Sequence, residues 1–189
     1  MSVSRQERER KIAELYHRKT ASQIGGVGVI PGGDEIISGE DDRKDYFDVD
    51  AAKQKLADAT VILTDKSDLT QQPDGSFKLD VNPFRRGNGP PCSGERFANQ
   101  HTGGWCSGFM VGSDVIVTAG HCGSTEDEIR NTAYVFGFRV DSNGGSGTTQ
   151  FSASQVYFGK ELIAHDHSAT GDFAIVRVDR KITASNAVP

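Results

Sequence analysis

The sequence predicts an all-β protein, an antiparallel barrel or sandwich of short strands behind a short helical or disordered leader, and three observations carry that reading. Runs of β-branched and aromatic residues recur at 109–111, 115–117, 133–140, 155–164 and 173–178, and such runs fit a pleated, half-buried surface. Glycine is abundant, 22 of 189 residues, and much of it falls between the runs, where turns are needed. Helical periodicity does not alternate with the runs, so a parallel sheet of βαβ units is excluded.

The elements follow in chain order. Ser4 and Glu7 have the spacing of a capping box, and Ile12, Leu15 and Tyr16 share one helical face, so residues 4–18 read as a short amphipathic helix or a solvated, fraying leader. Residues 25–39 are glycine-rich with one proline, the composition of a flexible connection open to processing. Residues 50–58 form a helix with Asp50 as its cap and Ala51, Ala52, Lys55 and Leu56 as good formers. Residues 59–64 are the first strand, Pro73-Asp74-Gly75 a turn, 77–81 a short strand, and 83–94 a loop heavy in proline and glycine. The apolar runs at 109–111 and 115–117 flank a Gly112-Ser113-Asp114 turn and make a hairpin whose end delivers His121. Asn143-Gly144-Gly145-Ser146-Gly147-Thr148 is a loop, because glycine and asparagine supply the positive φ that turns need.

Composition narrows the function classes. The net charge of -5 and an isoelectric point near 5.5 argue against a nucleic-acid partner, since phosphate recognition needs clustered Lys and Arg. No apolar run approaches the eighteen or so residues that cross a bilayer, so no membrane partner is expected. A hydrophobic share of 35% and a mean hydropathy of -0.47 are thin for one packed core but natural for short strands plus a polar leader.

One stretch carries the functional reading: Gly103-Gly104-Trp105-Cys106-Ser107-Gly108-Phe109-Met110-Val111-Gly112-Ser113-Asp114-Val115-Ile116-Val117-Thr118-Ala119-Gly120-His121-Cys122. Its Cys-Ser-Gly and Val-Thr-Ala-Gly-His-Cys parts resemble the segment around the catalytic histidine of trypsin-like (chymotrypsin-fold) serine proteases. A second piece follows in the required order. His165-Asp166-His167-Ser168-Ala169-Thr170-Gly171-Asp172-Phe173-Ala174-Ile175-Val176-Arg177-Val178 resembles that family's aspartate segment, a carboxylate ahead of a small apolar strand. The resemblance selects the barrel over the sandwich, and it implies a double-barrel fold in which His121 and Asp172 belong to the first barrel. It also makes Cys106 and Cys122 a structural disulfide. Fifteen residues lie between them, and closing a loop of that size stabilises a fold by about 3 kcal/mol on the chain-entropy model.

The chemistry explains the residue types. A serine hydroxyl is a poor nucleophile near neutral pH and needs a base about 3 Å away. Histidine can take that proton and return it, and a carboxylate on its other nitrogen fixes the tautomer and stabilises the imidazolium. His121 is the expected base and acid, Asp172 the expected carboxylate, with Asp166 as a competitor that lacks the following apolar strand. The family's serine lies in a Gly-x-Ser-Gly motif downstream of the aspartate, and no serine after Asp172 fits it. The expectation is therefore a serine endopeptidase whose first barrel is present, whose second barrel is largely absent, and whose 189 residues alone are inactive. A non-enzymatic homologue or truncated binding module is the alternative.

Further expectations follow from the same resemblance. Protein or peptide substrates are the partners, with the second barrel of the same protein packing on this part. Ile36-Ile37-Ser38-Gly39-Glu40-Asp41-Asp42-Arg43 resembles the start of the mature region in bacterial glutamyl-endopeptidase-like enzymes, which makes residues 1–35 a leader or pro-segment and 36–189 the amino-terminal part of the peptidase domain. The disulfide points to a secreted or extracytoplasmic protein, although no apolar signal-peptide core follows Met1. No cofactor or metal is expected. His165 and His167 have a His-x-His spacing that could hold zinc on one strand face, but no third ligand is evident nearby. Trp105 and His101 read as packing and surface residues, the Glu40-Asp41-Asp42 run as a solvated turn, and Cys92 as either a free thiol or the partner of a cysteine elsewhere.

Overall fold

The computed structural model describes residues 41–84, 89–168, 171–184 and 187. The chain divides into two compact units, 1–44 and 45–189. In the first, Asp41 and Arg43 form an exposed ion pair at 2.9 Å. The helix expected at 4–18 and the processing region at 25–39 lie outside the described residues.

The second unit is mostly β. Helix α1 (Ala51–Asp58) begins where the sequence predicts, since the Asp50 carboxylate accepts from the backbone N–H of Ala52 and Lys53. Eleven strands follow among the described residues: β1 (Thr60–Asp65), β2 (Leu69–Gln71), β3 (Phe77–Leu79), β4 (Asn82–Pro83), β5 (His101–Thr102), β6 (Cys106–Gly112), β7 (Val115–Thr118), β8 (Thr132–Phe136), β9 (Gln150–Phe151), β10 (Val156–His167) and β11 (Asp172–Val178). Six of them close an antiparallel barrel in the order β1-β6-β7-β11-β10-β8, the closure that removes sheet edges. A three-stranded sheet, β2-β3-β9, and the pair β4-β5 complete the set.

The barrel interior is filled by alternate residues of its strands. Val61 and Leu63 of β1, Met110 of β6, Ile116 of β7, Tyr134 and Phe136 of β8, Tyr157 of β10 and Ala174, Val176 and Val178 of β11 form one buried cluster. Phe136 and Tyr157 meet edge to face at 5.6 Å. A second cluster of Leu79, Val135, Phe151 and Val156 lies between the small sheet and the outside of β8.

Three departures from the sequence reading have a clear local reason. The run at 133–140 stops as a strand at Phe136, because Gly137 turns the chain at φ +78°. The run at 155–164 continues to His167 through two bulges against β11. A short helix α2 (Glu126–Arg130) interrupts what reads as loop: Thr125 accepts from the Glu128 N–H and Glu128 accepts from the Ser124 N–H, while Ile129 is buried in the barrel cluster. Its signal, Thr125 followed three residues later by Glu128, was present in the sequence. The 143–148 loop is as expected, with Gly144 and Gly147 at φ +80° and +107°.

Candidate active site

The site lies where β7 ends and the β10–β11 hairpin turns. β7 pairs with β11 in the register Thr118↔Ala174 and Val117↔Ile175, so the first residue of β11, Asp172, falls alongside the segment just beyond β7. That segment is a 3-10 turn, Gly120–Cys122, with His121 at its centre. The turn has to be tight: a Cβ at Gly120 would run into the Asp166 carbonyl and the Phe173 backbone nitrogen, neither of which can move without breaking the hairpin.

Covalent bonding fixes the turn from its far end. Cys122 is disulfide-bonded to Cys106 at the start of β6, with Cα atoms 6.2 Å apart. Cys122 itself packs in the barrel cluster, so the residue next to His121 is tied both to the core and to a neighbouring strand. Cys92, outside this bond, is exposed.

With both elements held, Asp172 meets His121 twice. Its Oδ2 accepts from the His121 ring Nδ1 at 2.8 Å, and its Oδ1 accepts from the His121 backbone N–H at 3.0 Å. A third donor arrives from the opposite strand: His167 pairs directly with Asp172 across the hairpin, and its Nδ1 lies 3.1 Å from Oδ1. The two imidazoles stand edge to face with centroids 6.1 Å apart.

The electrostatics follow from these contacts. Burial works against the charged carboxylate, but the ring and backbone hydrogen bonds from His121 and the ring hydrogen bond from His167 outweigh it, and the Asp172 carboxyl is held down to about 2. An ionised carboxylate only accepts, so both Nδ1 atoms donate. In the neutral His121 ring this leaves Nε2 with its lone pair, the nitrogen from which a base acts. All three side chains are partly open to solvent, at 25% for His121, 24% for His167 and 37% for Asp172.

The other residues singled out in the sequence are placed elsewhere. Asp166 pairs with Phe173 on β10–β11, and its carboxylate lies against Gly171 in the hairpin turn. His165 turns its Nε2 to the Gly120 carbonyl at 3.1 Å, bracing the His121 turn, so it does not join His167 around a common point. Trp105 packs against the barrel cluster. Sequence reasoning missed His167 as a neighbour of Asp172. The signal was available in the spacing: five positions apart, the two face each other once the hairpin that joins β10 to β11 is recognised.

Among the described residues, two groups of side chains bring three ligand-type atoms within 4.8 Å of one another: His121, His167 and Asp172, and Cys106, His121 and Cys122. In the second group the sulfurs are bonded to each other, so no thiolate is available there.

Residues 81–189 match the trypsin family model. No curated protein matches the chain.

Proposed function

The chain belongs to the trypsin family, and from that premise we propose that it carries the base and the carboxylate of a His-Asp-Ser endopeptidase, with His121 and Asp172 in those roles. The observation that carries the reading is the 2.8 Å contact from His121 Nδ1 to Asp172 Oδ2, on a turn fixed by a disulfide. In the proposed reaction His121 Nε2 takes the serine proton as the hydroxyl attacks the peptide carbonyl, Asp172 stabilises the resulting imidazolium, and the proton passes to the leaving amine.

The serine comes from outside these 189 residues. Ser185, in Thr183-Ala184-Ser185-Asn186, is the sole serine after Asp172 and has no Gly-x-Ser-Gly context. The second barrel bearing the nucleophile packs on this one. The alternative is a non-enzymatic homologue that keeps the barrel and uses it for binding. The two readings separate in the full-length protein: an endopeptidase loses nearly all turnover of a peptide substrate in His121→Ala and in Asp172→Asn while its circular dichroism is unchanged. Wild-type turnover in His121→Ala refutes the catalytic roles.

Finer parts of the reading rest on fewer residues. The likeness at Ile36–Arg43, most of it outside the described residues, supports a glutamyl-endopeptidase-like branch with residues 1–35 removed as a pro-segment. Amino-terminal sequencing of the natural protein tests this; an intact Met1 or Ser2 terminus on active enzyme refutes it. The disulfide supports a secreted or extracytoplasmic location.

A further inference from the structure

We propose that His121, His167 and Asp172 form a binding site for a divalent transition-metal ion of the zinc class. Two imidazoles and one carboxylate are the donor set that such borderline ions take, whereas magnesium and calcium seek oxygen alone. Three protein ligands with one position left for water is the open form of a zinc site. The ligands' partial exposure gives the ion a way in from solvent.

The geometry is close to what an ion requires. The ligand atoms lie within 4.8 Å of one another, and the two nitrogen–oxygen contacts are 2.8 and 3.1 Å. Donors on a tetrahedral ion with bonds near 2.0–2.1 Å stand about 3.4 Å apart, so the two nitrogen–oxygen contacts, which go to different oxygens of the carboxylate, open by a few tenths of an ångström, while the two ring nitrogens, within 4.8 Å of each other, settle at that separation by rotation of the rings. The rings, 6.1 Å apart between centroids, would stand about 5–6 Å apart on a shared ion, a side-chain rotation away. The backbone need not move: the disulfide holds the His121 turn, and strand pairing holds His167 opposite Asp172. This is a different set from the His165–His167 pair that the sequence suggested, since His165 is engaged with the Gly120 carbonyl.

Binding has a chemical consequence, which rests on the proposed function. An ion bound through Nδ1 takes the lone pair there, so each neutral ring loses its Nδ1 proton to solvent and gains one from solvent at Nε2, with no net proton released. His121 Nε2 is then a donor and can no longer accept from a serine. The ion is thus a reversible off-switch built from the dyad and its second histidine.

Isothermal titration of zinc chloride into the 189-residue chain tests the site without requiring turnover. One zinc per chain is expected, with no heat from magnesium chloride. His167→Ala and His167→Gln, each checked for a native circular dichroism spectrum, should weaken zinc by about tenfold or more. No zinc binding by the wild type, or unchanged affinity in both His167 variants, overturns the site. In the full-length protein, saturating zinc should abolish turnover. Zinc binding lost in the His167 variants but without effect on turnover would leave the site standing and overturn the role given to His121. Absence of zinc binding alongside turnover lost in His121→Ala would overturn the site alone.

Discussion

The outside of the barrel differs sharply between β8 and β11. Every residue of β8 is buried: Tyr134 and Phe136 face the barrel, while Val135 faces outward into Leu79 and Phe151 of the small sheet. On β11 burial alternates, with Ala174, Val176 and Val178 inside and Phe173 exposed. Phe109 and Val111 of β6 and Ile163 of β10 are exposed on strands next to β7 and β11. The covered flank holds the buried contacts, and the open flank carries the proposed chemistry, because His121 and Asp172 stand at its edge. A site that must receive other groups cannot sit under a second layer of its own chain.

The strongest way to break that comparison is to damage the covered flank. Phe136, 2% exposed and packed on Tyr157, should destabilise the fold by about 3–5 kcal/mol when changed to Ala, because the cavity cannot close within a barrel. Urea denaturation of the 189-residue chain measures it. If stability and chemistry are divided as proposed, the same change in the full-length protein leaves turnover per folded molecule nearly intact. A loss below about 1 kcal/mol would mean the core is not where the chain's stability resides.

The next effect, of intermediate size, belongs to the open flank and to pH. The Asp172 carboxyl is held down to about 2 in the fold from an ordinary 3.8, so the unfolded chain binds its proton more readily. The stability this confers is fully present above about pH 4 and is lost as pH falls towards 2. Its size is reduced by solvent screening, since the side chain is more than one-third exposed. Acid denaturation in metal-free buffer should therefore be shallower between pH 4 and 2 in Asp172→Asn, with His167→Ala between the two because one donor is gone. Identical acid limbs in all three would mean the hydrogen bonds to Asp172 do not persist in solution.

The two flanks were also unequally legible in the sequence. The open one reads more directly, because its histidine and aspartate stand in strings that resemble a known family's: the hairpin that delivers His121 and the strand that follows Asp172 are visible at 103–122 and 172–178. The covered one does not. Val135 reads as a strand residue, but nothing near it tells that Leu79 and Phe151 lie against its outer face, since β3 and β9 are three and two residues long and too short to show a period. His167 failed for another reason: its meaning depends on the hairpin register that sets it opposite Asp172, and no residue pattern in the 165–172 string states that register.

The smallest expected effect on stability sharpens the comparison most directly. Phe109 and Phe173, 52% and 40% exposed, contribute little to the fold by themselves, and Ser at either position should change unfolding free energy by no more than about 0.5 kcal/mol, the range of surface substitutions. Their effect should instead appear in association. Exposed large apolar side chains favour self-association, so the double substitution Phe109→Ser with Phe173→Ser should shift the 189-residue chain towards monomer in sedimentation velocity while its urea midpoint barely moves. If the open flank normally receives the second barrel, the same pair in the full-length protein should cost more than in the short chain, because there the two phenyl rings are covered. Equal costs in the two proteins would place the second barrel elsewhere and leave the flank bare in both.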